Sequence, residues 1–274
     1  MTDAKGIGLH IGLNAVDPGR YAGWDGTLVA CEADATDMHA ITSARGFTSS
    51  MLLTRKATAA AVAAGIRRAA RTLAPGDLFV LSYSGHGGQV RDPSGEELDW
   101  EDETWVLWDR QLLDDELYAL WAAFKPGVRI LVLSDSCHSG TVVRDQFYLA
   151  SPANAATSDR FKFMPRDVQD RTYAAHRDEY DALQGTFAAG DKAAVEAAVV
   201  LISGCQDSQY SRDGDRNGLF TQRLREIWAD GAFTKGHRAF YRAICELMPP
   251  DQTPNYFRVG RPASTFERMV PFTI

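Results

Sequence analysis

The sequence predicts a doubly wound α/β fold built on a parallel sheet. Two observations carry this. Four continuous apolar runs, Ile7 to Leu13, Leu78 to Tyr83, Val128 to Leu133 and Val199 to Ile202, each stop at Ser or Asn. Runs of that length suit strands buried on both faces. Helical patterns lie between the runs, and strands alternating with helices argue for parallel crossover units. The length of 274 residues fits one large α/β domain or two small ones, and 45% apolar residues can fill a sizeable core.

The helices follow in order. Asp34 to Ala44 reads as a helix stopped by Gly46. In Thr58 to Leu73, Thr58 is the expected N-cap, Val62, Ile66 and Leu73 repeat at helical spacing, and Pro75-Gly76 ends the pattern. Asp114 to Phe124 carries carboxylates in its first turn and stops at Pro126-Gly127. Leu219 to Trp228 and Ala239 to Leu247 are two more. The rhythm breaks between Gln146 and Lys192, a polar, weakly periodic stretch rich in Ala, Asp and Arg. It reads as a long surface insertion or, equally, as a small packed helical part of the same domain. Its basic residues, Arg160, Lys162, Arg166, Arg171 and Arg177, are candidates for peptidase cuts if exposed; singly, each reads as a solvated surface charge.

Charge and cysteine content narrow the function. The net charge is −7, without a basic stripe, which argues against nucleic-acid binding. Cys31, Cys137, Cys205 and Cys245 form no CxxC pair, so a zinc knuckle or thioredoxin motif is not expected. No segment has the ~18 apolar residues of a membrane span. The first residues lack the features of a secretory signal. A cytoplasmic protein with reduced thiols, and no membrane partner, is the expectation.

Two strands end in unusual chemistry. The second run leads into Ser82-Tyr83-Ser84-Gly85-His86-Gly87-Gly88, the third into Ser134-Asp135-Ser136-Cys137-His138-Ser139-Gly140. Active groups of open α/β sheets gather at the carboxyl ends of strands, so one edge receives a histidine and a cysteine. An imidazole can take the proton of a thiol, and glycines let backbone N–H groups approach an acyl oxygen. Alone, the cysteine is a small buried hydrophobe and the histidine a turn residue. A zinc site from His86, Cys137 and His138 matches no common spacing. Neither a Gly-x-Ser-x-Gly elbow nor a P-loop is present.

Ser84-Gly85-His86-Gly87 and Asp135-Ser136-Cys137-His138-Ser139-Gly140 resemble the caspase superfamily of cysteine peptidases, and within it the bacterial metacaspase-like members. Cys31-Glu32-Ala33-Asp34, Ser203-Gly204-Cys205-Gln206-Asp207 and Gln252-Thr253-Pro254 add to the likeness. The resemblance implies a mostly parallel six-stranded sheet with helices on both faces, in a single domain. It divides the chain into a large-subunit-like part (about 1–145), the insertion (about 146–192) and a small-subunit-like part (about 193–274). It implies Cys137 as nucleophile, His86 as general acid and base, and the N–H groups of Gly87 and Cys137 as an oxyanion site.

The resemblance also implies cleavage after Arg, then Lys. It places Asp34, Asp135, Ser84 and Cys31 around the primary pocket, with Asp207 on the opposite wall. Paired carboxylates in a partly dry pocket suit a guanidinium and repel a substrate aspartate. Asp34 would equally suit a helix cap, and Asp135 the ordering of the Cys137 loop. The expected partners are protein or peptide substrates with Arg or Lys at the cut. The chemistry calls for no cofactor; the resemblance brings in calcium, with Asp102, Asp114, Asp115 and Asp145 as candidate ligands. Asp114 and Asp115 also suit a helix N-terminus. The rival function is a caspase-like regulatory module that binds a partner without turnover.

Overall fold

The computed structural model describes residues 4–91, 101–137, 160–187, 194–206, 209–261 and 264–274. The candidate residues Asp145 and Asp207, and the insertion before Arg160, lie outside them. A six-stranded sheet runs through the centre. Its strands are β1 (Gly6–Gly12), β2 (Thr48–Leu53), β3 (Leu78–Ser84), β7 (Arg129–Asp135), β9 (Ala198–Ser203) and β11 (Asn255–Gly260). Their spatial order is β11-β9-β7-β3-β1-β2, all parallel except β11, which pairs antiparallel with β9. The four apolar runs are thus the four inner strands, each shifted by a residue or two at its ends. The missed strands, β2 and β11, are the two edges. Edge strands need not be apolar throughout, and β2 carries Thr48, Ser49 and Ser50.

Successive side chains of a strand point to opposite faces, and the two cores follow this alternation. Phe79, Leu81 and Tyr83 of β3 pack with Ile130 and Val132 of β7 against Val62 and Ile66 of α2 (Ala59–Thr72) and Leu117 and Trp121 of α3 (Asp114–Ala122). Leu78, Val80, Leu131 and Leu133 face the other way. There they meet Met38 of α1 (Cys31–Ala44) and residues of the two later helices predicted from sequence.

Helix α2 begins as expected, with Thr58 Oγ1 accepting from Ala61 N–H. Helix α1 begins three residues before the predicted start, at Cys31. Its N-cap, Ala30, has no capping side chain; the Asn14 side chain instead accepts from Glu32 N–H at 3.2 Å. A cap borrowed from the loop after β1 leaves no signal in the local sequence.

Two smaller sheets border the strand ends. One is β4 (Gly87–Arg91), β5 (Glu101–Val106) and β6 (Gln111–Leu113). The other pairs β8 (Arg160–Phe161) antiparallel with β10 (Arg212–Asp213). The rest of the described insertion is packed rather than loose. It forms α4 (Arg166–Ala175) and α5 (Arg177–Thr186), and Lys162, Met164, Val168 and Tyr180 are buried. Helices α6 (Leu219–Trp228) and α7 (His237–Leu247) cover the second core, followed by the short α8 (Ser264–Arg268).

Candidate active site

Register brings the two motifs together. Ser84 at the end of β3 pairs with Asp135 at the end of β7, so His86 and Cys137 each stand two residues beyond a matched pair. The loop after β9 and the start of α1 complete the same edge.

His86 is buried against the Trp24 ring, at 4.7 Å between centroids. Its Nε2 lies 2.9 Å from the Gly26 carbonyl oxygen. A carbonyl can only accept, so Nε2 carries the proton and Nδ1 keeps its lone pair. Nδ1 is buried and has no hydrogen bond of good geometry, although the Phe163 backbone is close enough to raise the ring's basicity. Burial dominates and lowers the imidazole pKa to about 4. The ring is neutral at pH 7.

Cys137 is fully buried, and its Sγ receives the Ser211 N–H. No hydrogen bond joins it to His86 among the described residues. The nearby backbone is fixed by size, because a Cβ on Gly87 would stand 1.5 Å from the Cys137 carbonyl oxygen. The two amides expected to bind an acyl oxygen both have one. Gly87 N–H and Cys137 N–H donate to the carbonyl of Lys162 at 3.0 and 3.1 Å.

The Lys162 side chain then runs into the pocket between the strand ends. Its Nζ lies 3.0 Å from Asp34 Oδ2, 3.1 Å from Asp135 Oδ2 and 2.9 Å from Ser84 Oγ. All three charged groups are buried, with side-chain exposures of 0%, 1% and 2%. Asp34 does not cap α1. Its carboxylate also accepts from Ser84 Oγ, Asn217 Nδ2 and Gly218 N. Burial raises the Asp34 carboxyl to about 6, with the Asp135 charge adding and Lys162 opposing. Asp135 accepts from Ser211 Oγ at 2.6 Å and Thr221 Oγ1 at 2.9 Å, which ties it to the loop after β9 and to α6. Cys31 lies beside this group, and burial pushes its thiol strongly up. Gly218 closes the wall: a Cβ there would stand 2.1 Å from Lys162 Nζ and 2.4 Å from Asp135 Oδ2.

The structure therefore brings Cys137, His86, Gly87, Asp34, Asp135, Ser84 and Cys31 to one site. Sequence reasoning missed Gly26 and Trp24, which set the histidine, and Ser211, Asn217, Gly218 and Thr221, which finish the pocket. The Gly- and Ser-rich stretch after β9, at the same edge, was the available signal. It names Lys162 only among the basic residues of the insertion open to a cut if exposed; the burial of that side chain is what it missed, since solvation is the ordinary expectation.

The calcium candidates fare differently. Asp102 accepts from Gln184 Nε2 at 2.7 Å, and Asp114 and Asp115 open α3. Among the described residues no group of three or more His, Cys, Asp or Glu could hold a metal ion. These three aspartates by themselves therefore make no site.

The family model of the caspase domain (Peptidase_C14) matches residues 13–264. The chain belongs to this family of cysteine peptidases. Among curated proteins, the caspase domain is 30% identical to "Metacaspase-1" of Mycosarcoma maydis over 78% of this chain and 59% of that one. It is 27% identical to "Metacaspase-1" of Saccharomyces cerevisiae over 78% and 56%. The chain thus spans a little over half the length of these curated relatives. A solved structure of a protein from Geobacter sulfurreducens is 52% identical, covers 98% of this chain and 99% of that one, and has a TM-score of 0.91. Caspase-1 from Spodoptera frugiperda, at 11% identity over 98% and 90% of the two chains, shares the fold with a TM-score of 0.57. No described helix is long and apolar enough to cross a membrane.

Proposed function

We propose that this caspase domain is a cysteine endopeptidase that cuts after Arg and Lys, and that Lys162-Phe163 is its first substrate bond. One observation carries the reading. A lysine of the chain itself has its side chain between two buried carboxylates and its carbonyl oxygen on two backbone amides beside Cys137. That is the posture a substrate needs for acyl transfer. The family match and the metacaspase relatives support the coarser part of this reading, a cysteine peptidase.

The residues divide the chemistry between them. The Gly87 and Cys137 amides stabilise the negative charge that develops on the Lys162 oxygen. The Ser211 N–H donates to Cys137 Sγ and the Ser211 carbonyl accepts from it, which holds the sulfur in place. His86 Nδ1, left unprotonated by the Gly26 contact, takes the thiol proton. Sulfur attacks the Lys162 carbonyl carbon, and the bond to the Phe163 nitrogen breaks as His86 delivers the proton there. Water then hydrolyses the thioester, leaving a Lys162 carboxylate and a free thiol. None of these steps uses a metal; a calcium ion, if bound, needs ligands beyond Asp102, Asp114 and Asp115.

The test compares fluorogenic peptides ending in Arg, Lys, Leu or Asp on wild type and Asp135→Ala, with intact-mass spectrometry of the incubated chain. Turnover after Arg and Lys, loss of roughly 2–5 kcal/mol of transition-state binding in Asp135→Ala, and a cut after Lys162 are expected. A chain that turns over no peptide and stays whole is a binding module instead. Efficient cleavage after Asp refutes the pocket.

A further inference from the structure

The segment before Lys162 makes contacts that the primary pocket does not explain. Phe161 and Arg160 form β8, which adds to β10 as an antiparallel strand, with Phe161 opposite Arg212 and Arg160 opposite Asp213. The Lys162 N–H continues the ladder, donating to the Ser211 carbonyl at 2.9 Å. Extended peptides bind sheet edges this way: main-chain bonds supply affinity, and pockets for particular side chains supply selectivity.

Arg160 meets one such group. Its Nε lies 3.3 Å from Asp213 Oδ2. The Asp213 side chain has 0% exposure, against 35% for Arg160. A carboxylate this buried needs fixed donors, and the turn before α1 provides them. Val29 N–H donates to Asp213 Oδ2 at 2.7 Å and Ala30 N–H to Oδ1 at 3.1 Å. Asp213 is therefore held in place by the body of the protein, independently of its partner. The arginine is the half-exposed, exchangeable member of the pair.

We propose that Asp213 is a second specificity site, which selects a basic side chain two residues before the one at the cut. The preferred substrates then read Arg-x-Lys or Arg-x-Arg immediately before the scissile bond. The inference rests on the reading that residues 160–163 lie as a substrate lies. Phe161, between the two basic residues, packs near Phe163 and Tyr210, with ring centroids 6.5 and 5.5 Å away. An apolar residue fits that middle position.

Substrate variation tests this without disturbing the fold. Peptides of the form Ala-Arg-Phe-Lys, Ala-Ala-Phe-Lys and Ala-Glu-Phe-Lys, each with a fluorogenic leaving group, are compared on the wild-type protein at low and high salt. The Arg peptide should exceed the Ala peptide about three- to tenfold in kcat/KM, the scale of one partly exposed ion pair. The Glu peptide should fall below the Ala peptide, and salt should narrow both gaps. In Asp213→Asn the order Arg over Ala over Glu should collapse. Equal rates for the three peptides on an enzyme that still prefers Lys over Leu at the cut would overturn the second site and leave the primary pocket standing. No turnover of any Lys peptide would overturn both.

Discussion

Replacing Lys162 by alanine in a Cys137→Ala background, where the chain cannot cut itself, measures how firmly the pocket is filled. The ammonium lies 3.0 and 3.1 Å from two buried carboxylates. Removing one partner of a buried ion pair costs about 3–5 kcal/mol, because the remaining charge is left without compensation. At about 2–4 °C per kcal/mol for a chain of this size, the melting temperature should drop by about 6–20 °C at pH 8. The sign of the pH dependence is fixed. Without the cation, burial and mutual repulsion raise the carboxyl pKa values in the folded state. The folded chain then binds protons that the unfolded chain does not, so the deficit is fullest above the raised values. It shrinks as pH falls towards the ordinary carboxyl range. Scanning calorimetry of both variants between pH 5 and 8 reads this directly. Equal melting temperatures with the same pH dependence would show that Lys162 does not sit between Asp34 and Asp135.

Three other outcomes follow from the same geometry. Single Cys137→Ala and His86→Ala variants should each lose peptide hydrolysis by about a thousandfold or more while keeping the native circular dichroism; activity near wild type in either removes that residue from the chemistry. Gly218→Ala should lower kcat/KM for Arg and Lys peptides about 5- to 150-fold, the scale of 1–3 kcal/mol for forcing atoms into a packed site, and unchanged kinetics would mean the pocket lies elsewhere. With the Asp34 carboxyl raised to about 6 and the His86 ring lowered to about 4, hydrolysis after Arg should decline as pH drops below about 6, through loss of pocket charge while the base is still neutral. Asp34→Asn should move that decline, and an identical profile in the variant would assign it to another group.

The inner sheet was legible because burial on both faces forces a continuous apolar run. The edge strands β2 and β11 escaped because their partners, rather than their own composition, define them. Cys137 and His86 stood out because rare residue types followed two strand ends, and Asp34 and Asp135 because the resemblance to the caspase superfamily places them around the primary pocket. Lys162 could not be read the same way. Its burial depends on carboxylates more than twenty residues away along the chain, one on α1 and one on β7, and nothing in its own neighbourhood announces them. The same holds for Asp213, whose donors belong to the turn before α1.

The strand order carries a last consequence. The proposed cut falls between β7 and β9, yet these two strands are neighbours in the sheet, joined along Arg129 to Ser134 on one and Ala198 to Ser203 on the other. Strand β11 adds to β9 from outside, and α6 and α7 share their core with β3 and β7. Severing the backbone at Lys162 therefore divides the polypeptide without dividing the particle. The two fragments remain a single hydrogen-bonded body that denaturant, but not dilution alone, would pull apart, so the scission leaves its mark on a denaturing gel while the native mass stays whole.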